Sequence, residues 1–303
     1  MIETFDAVLP HGITLSCRAS GPKDAPVLIF LHGFPEAAFV WDEMLAHFGT
    51  RYRCVAPNLR GFERSSSPSD PQAYRVKHLM ADLDALIDHC AGDGGRLEAL
   101  IAHDWGGAVA WTYATQPAPR MKRLVIINSP HPATFLRELQ SSPAQQAASA
   151  YMNFLCRPDA ERLLAENDFA RMWPMLENMG AADPSHEGGG WLTPAVREQY
   201  RAVWSAGLTG GCNYYRASPL RPPTAKDDAV MSITFPDEFV TVHVPTLVIW
   251  AEEDIALPRA LVDGLDAWVP DLRLVRVPGA THWIVHERPA LVAREIEQHL
   301  AGG

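Results

Sequence analysis

The chain has 303 residues, of which 47 % are hydrophobic and 20 % charged, with a formal net charge of −10. Its 26 Lys and Arg are scattered and outnumbered by 36 Asp and Glu, which argues against nucleic-acid binding. No apolar run approaches the ~20 residues of a membrane span, and the first residues lack the basic region and apolar core of a signal peptide. The five cysteines (Cys17, Cys54, Cys90, Cys156, Cys212) lie far apart and have no zinc-binding spacing. They read as reduced, mostly packed thiols. The expectation is a cytoplasmic protein with one large α/β domain, or with a core and an insertion.

Ile13 to Arg18 and Val27 to Leu31 read as strands, the second all apolar and so central to a sheet. It ends in His32-Gly-Phe-Pro-Glu36, a tight turn in which a cis peptide before Pro35 fits. A helix over Ala38 to His47, a strand over Tyr52 to Pro57 and a polar Gly/Ser loop from Arg60 follow. Val76 to Cys90 has helical periodicity, with Leu79, Leu83 and Leu86 on one face. Leu97 to Ala102 reads as a buried strand, Ala108 to Ala114 as a helix, and Met121 to Asn128 as another strand. Strands alternating with helices imply a mostly parallel central sheet with helices on both faces. In such a sheet, functional groups gather at the carboxyl ends of the strands.

After Ser129-Pro-His-Pro132 the pattern changes to helical patches rich in Trp, Met, Tyr, Pro and Gly. In one patch, Thr193 is suited to cap a helix and Pro194 to open it. The expected division is a first core part at 1–132, an α-helical cap at 133–239 and a second core part at 240–303. The aromatic residues of the cap suit an apolar substrate or packing between cap and core. Strand Val244 to Trp250, helix Pro258 to Trp268, strand Arg273 to Val277 and helix Pro289 to Leu300 close the reading.

The central stretch is Leu100-Ile-Ala-His-Asp-Trp-Gly-Gly-Ala108. A strand, a turn flanked by small residues and a helix make the setting of a nucleophile elbow, with Asp104 where Ser is usual. Taken alone, Asp104 could equally be a helix N-cap. A carboxylate needs no deprotonation at neutral pH. It can attack a saturated carbon carrying an epoxide or halide and form an ester that water then cleaves. Asp254 and His282 lie on loops after the last two strands and complete the order nucleophile, acid, His. In triad logic His282 takes a proton from water, and Asp254 orients the imidazole and stabilises its charge.

His32-Gly-Phe-Pro35, His103-Asp-Trp-Gly-Gly107, Trp250-Ala-Glu-Glu-Asp254 and Thr281-His-Trp283 together resemble the epoxide hydrolases of the α/β-hydrolase fold. The first two motifs are shared with haloalkane and haloacetate dehalogenases. The resemblance implies an α/β-hydrolase fold, no cofactor and no metal. It also implies two cap tyrosines acting as acids on the epoxide oxygen. Tyr215 of Asn213-Tyr-Tyr-Arg216 matches one, with Tyr214 the neighbouring alternative, and Tyr151 of Tyr-Met-Asn-Phe-Leu155 matches the other. The backbone N–H groups of Phe34 and Trp105 are the expected oxyanion hole. The expected partners are a small apolar epoxide and water, with a homodimer left open. A haloalkane dehalogenase using the same Asp104 is the alternative. Phe34 stands where that family often has an Asn donor, and Trp105 stands where fluoroacetate dehalogenases have Arg.

Overall fold

The computed structural model describes residues 1–302. Gly303, at the end of the second core part, lies outside them. Eight strands form one sheet: β1 (Glu3–Val8), β2 (Thr14–Ser20), β3 (Val27–Leu31), β4 (Arg53–Pro57), β5 (Ala99–His103), β6 (Leu124–Ile127), β7 (Thr246–Ala251) and β8 (Leu272–Val277). Their spatial order is β1-β2-β4-β3-β5-β6-β7-β8. β2 is antiparallel to both its neighbours, and every later pairing is parallel.

The apolar runs of the central strands are explained by burial on both faces. In β3, Val27, Ile29 and Leu31 enter one core cluster, while Leu28 and Phe30 enter the other. In β6, Leu124 and Ile126 part from Val125 and Ile127 in the same way. Helices α2 (Val76–Ala91) and α3 (Asp104–Ala114) cover the first face through Leu79, Leu83, Leu86, Val109 and Trp111. Helix α1 (Asp42–Phe48) covers the second through Met44, Leu45 and Phe48. The C-terminal helix, Pro289–Ala301, joins it there through Val292, Ile296 and Leu300.

Between β6 and β7 the described chain is helical and adds no strand to the sheet. It begins with α4 (Pro132–Ser141), α5 (Pro143–Ala148) and α6 (Tyr151–Leu155). It continues through α7 (Ala160–Phe169), α8 (Trp173–Glu177), α9 (Pro194–Ser205) and α10 (Thr209–Ala217). Thr193 caps α9 as its residue type suggests, its hydroxyl accepting from the Val196 N–H at 3.3 Å with Pro194 in the first turn. Beyond β8 lie α11 (Ile284–Glu287) and α12, the helix Pro289–Ala301.

Two expectations are corrected, and one strand goes beyond the sequence reading. The helix expected over Pro258 to Trp268 is two short 3-10 turns, Arg259–Val262 and Leu265–Ala267. Asp263 is extended and Gly264 is left-handed at φ 72°, so no helical ladder can run through. The helix over Ala38 to His47 is a 3-10 turn, Ala38–Trp41, followed by α1. β1 has no counterpart in the sequence reading, because its residues are mostly exposed and leave no apolar run.

Candidate active site

β5 ends at His103 and α3 starts at Asp104, so the turn between them is a single residue in a left-handed conformation at φ 49°. Asp is among the few non-glycine residues that enter this region with tolerable strain. The strain aims the carboxylate off the carboxyl edge of the sheet, towards the turn that follows β3. That turn includes the cis Phe34–Pro35 peptide. Its Gly33 is required by contact, since a Cβ there would overlap the Asp104 carboxylate. The Phe34 N–H donates to Asp104 Oδ1 at 2.8 Å. His32 locks the same turn, its Nε2 accepting from the Leu59 N–H at 3.0 Å while Nδ1 lies 2.9 Å from the Gly33 carbonyl. Burial lowers the His32 pKa to about 4, so the ring is neutral and fits both bonds.

The three residues read as a triad come together. His282 Nδ1 lies 2.6 Å from Asp254 Oδ2, and its Nε2 faces Asp104 Oδ2 at 3.8 Å. Asp254 is buried and fully engaged. The N–H groups of Ala256 and Leu257 both donate to its Oδ1 at 2.9 Å, and Asn128 Nδ2 donates to Oδ2 at 2.9 Å. Glu252 instead lies near Arg276 and Glu253 is exposed, so neither competes for His282. Burial pushes the Asp254 carboxyl up, but the His282 charge and these donors bring it below its ordinary value. Burial would lower His282, yet the Asp254 carboxylate, with help from Asp104, raises it to about 9.

Both expected tyrosines line the cavity that holds Asp104, together with Trp105. Tyr151 is the first residue of α6, and Tyr215 lies on α10. Their ring centroids are 6.0 Å apart, and the Tyr215 ring stands edge-on to Trp105 at 5.0 Å and to Phe34 at 5.6 Å. Gly211, one turn before Tyr215, lets α10 sit against the Phe34 ring, which a Cβ there would strike. Tyr214 donates its hydroxyl to the Arg60 carbonyl at 3.0 Å, and its ring is packed by Phe62 and Tyr74. Its proton is therefore already in use. Burial, reinforced by the Asp104 charge, raises the Tyr151 phenol, and burial with the neighbouring Tyr151 and Asp104 raises Tyr215. Both stay protonated where His282 titrates.

The cavity has a volume of about 630 Å³ and is lined mainly by apolar groups such as Phe135, Met152, Leu220 and Leu257. That matches the about 300–1,000 Å³ usual for small-molecule sites. Among the described residues, no group of three or more His, Cys, Asp or Glu is arranged to hold a metal ion. None of their helices is long and apolar enough to cross a membrane.

Three residues in or beside the site are given no role by the sequence. Asn128, left-handed at φ 37°, buttresses Asp254, and its position at the end of β6 was the available signal. Ser129 donates its hydroxyl to the Asp104 carbonyl at 2.7 Å. Glu36 is buried behind the turn of Phe34 among His103, Tyr200 and His286, partners far apart in sequence.

The profile of the α/β hydrolase fold family matches residues 26–289. The chain is 33 % identical over 296 residues to epoxide hydrolase 3 of Xenopus tropicalis, covering 95 % of this chain and 75 % of that protein. It is 32 % identical to the AB hydrolase superfamily protein YfhM of Bacillus subtilis (strain 168), covering 96 % of this chain and 95 % of that one. A solved structure described among novel epoxide hydrolases from metagenomes of hot environments superposes with a TM-score of 0.83. The two are 35 % identical, and the match covers 100 % of each chain. The chain belongs to the α/β hydrolase fold family and groups there with the epoxide hydrolases.

Proposed function

We propose that this protein hydrolyses epoxides to vicinal diols through a covalent ester on Asp104, with the segment 133–239 acting as a cap that carries the acids. The observation that carries the proposal is the pairing of an aspartate at the elbow, 3.8 Å from His282 Nε2, with two protonated tyrosines in one apolar cavity.

In the first step Asp104 attacks an epoxide carbon and the C–O bond of the ring breaks. The alkoxide that develops is a poor leaving group, so Tyr151 and Tyr215 hydrogen-bond the oxygen and one of them transfers its proton. In the second step neutral His282 takes a proton from water, and the hydroxide adds to the carboxyl carbon of the ester. Asp254 stabilises the imidazolium that results. The tetrahedral oxyanion is received by the N–H of Phe34, which already reaches Asp104 Oδ1, and by that of Trp105. Trp105 is in the first turn of α3, where N–H groups have no partner within the helix. Collapse of this centre breaks the ester C–O bond. The leaving alkoxide takes the imidazolium proton to give the diol, and the proton of the added hydroxyl passes to the tyrosinate, which restores the carboxylate.

The test is a paired assay on purified protein, with styrene oxide scored for diol and bromobutane for bromide, each with Asp104→Ala as control. Diol without bromide, lost in the variant, is the expected result. Bromide without diol would keep Asp104 as nucleophile and make the protein a haloalkane dehalogenase. Diol formation at the wild-type rate by Asp104→Ala would end the proposal.

A further inference from the structure

One helix of the insertion is bonded directly to the turn that carries Phe34. Trp204 on α9 donates its indole N–H to the Pro35 carbonyl at 2.8 Å. One helical turn earlier, Tyr200 donates its hydroxyl to Glu36 Oε1 at 2.9 Å. Two consecutive residues after Phe34 are thus held from the insertion side. Tyr200 and Glu36 are both buried, at 0 % and 1 % exposure, so neither bond can be exchanged for water. Lost bonds at such groups leave unsatisfied polar atoms.

Glu36 passes the constraint on. The same Oε1 lies 2.9 Å from His286 Nε2 on α11, four residues beyond His282. Trp191 stacks flat on the His286 ring, with centroids 4.1 Å apart and planes 6° apart. Oε2 lies 3.3 Å from His103 Nδ1, and His103 Nε2 lies 2.9 Å from the carbonyl of His282. His103 immediately precedes Asp104. Each partner of Glu36 within the core is therefore a near neighbour of a site residue, and its partner from outside the core is α9.

We propose that Tyr200 and Trp204 are positioning residues: through Pro35 and Glu36, α9 holds the Phe34 N–H on the Asp104 carboxylate. This inference rests on the two-step reaction described above. A donor at this point matters more for the second step than for the first. Attack on the epoxide discharges the carboxylate, whereas water addition builds a new negative oxygen at the donor.

The experiment uses the full chain and measures ester formation and ester breakdown separately, by rapid quench with intact-mass detection of the adduct. Tyr200→Phe keeps the ring against Phe39 and removes only the hydroxyl. Losing an oxyanion donor outright costs ~10²–10³ in rate, so a donor merely loosened is expected to slow ester breakdown about tenfold. Ester formation should stay within about twofold, so the adduct accumulates at steady state. Trp204→Phe should shift the ratio in the same direction, and it carries the test if Tyr200→Phe does not fold. Equal slowing of both steps, or no change in their ratio, would overturn the inference and leave α9 as packing. If His282→Gln forms no adduct with epoxide in excess, the two-step reading itself fails and this inference with it. An adduct in His282→Gln beside a wild-type ratio in both α9 variants would sink this inference alone.

Discussion

At the scale of single residues, His282 and Asp104 are coupled through charge. His282 is held up to about 9 chiefly by Asp254, with Asp104 adding to the effect against the pull of burial. On the proposed mechanism, ester formation cancels the Asp104 charge, so one of the two carboxylates stabilising the imidazolium disappears when a neutral base is needed. Ester breakdown measured in single turnovers should therefore rise with pH to a midpoint below that of His282 in the resting enzyme. A midpoint at or above the resting value, read by NMR titration of the ring, would contradict this coupling. For stability the sign is that of a raised base. The His282–Asp254 attraction contributes fully below the ordinary value of 6.5 and is lost as pH rises through about 9.

The tyrosines make a second residue-scale case. Tyr151→Phe or Tyr215→Phe alone should slow epoxide opening by about 10²-fold or less, since one phenol remains, and removal of both should suppress it beyond that. Tyr214→Phe should leave the opening rate nearly unchanged and lower thermal stability, because its hydroxyl serves the Arg60 carbonyl. An opening rate that falls in Tyr214→Phe but not in Tyr215→Phe would reverse the assignment. Sequence narrowed the acid to two adjacent residues. Their placement depends on the rotation of α10 about its axis, which Gly211 against Phe34 and Tyr214 against Arg60 fix.

At the scale of elements, the central strands were legible because burial on both faces leaves unbroken apolar runs. The elbow was legible because its geometry demands small residues around one polar one. Partners far apart in sequence were not. The acid Asp82 looks like one of several on an exposed helix face, yet it is buried in a two-bond pair with Arg60, at 2.8 and 2.6 Å. Glu36 and its three partners are hidden for the same reason. The docking of α10 gives a prediction at this scale. Gly211→Ala puts a methyl into the Phe34 ring and should destabilise the protein by about 1–3 kcal/mol, as overpacking does. It should also slow epoxide opening, because α10 carries Tyr215. Denaturant unfolding with the rapid-quench rates checks both, and wild-type behaviour in both would show that α10 has room to spare.

At the scale of the whole molecule, one mostly parallel sheet supplies Phe34, Asp104, Asp254 and His282 from the turns after β3, β5, β7 and β8. The helical segment between β6 and β7 supplies Tyr151 and Tyr215. Those turns all open on the carboxyl edge of the sheet, so the fold itself brings the groups together. Most of that convergence could be read from the order of strands. The insertion could be read only as helical and aromatic, since its short helices have no shared period and take their places from contacts with the core.

On the proposed mechanism, the oxygen added to the epoxide carbon comes first from Asp104 and not from water. A single turnover with enzyme in excess, run in heavy-oxygen water, separates the two. The expected products are diol carrying ordinary oxygen and one heavy oxygen in the peptide that contains Asp104. Heavy oxygen in the diol of that first turnover, with an unlabelled Asp104, would mean direct attack by water and would contradict that mechanism.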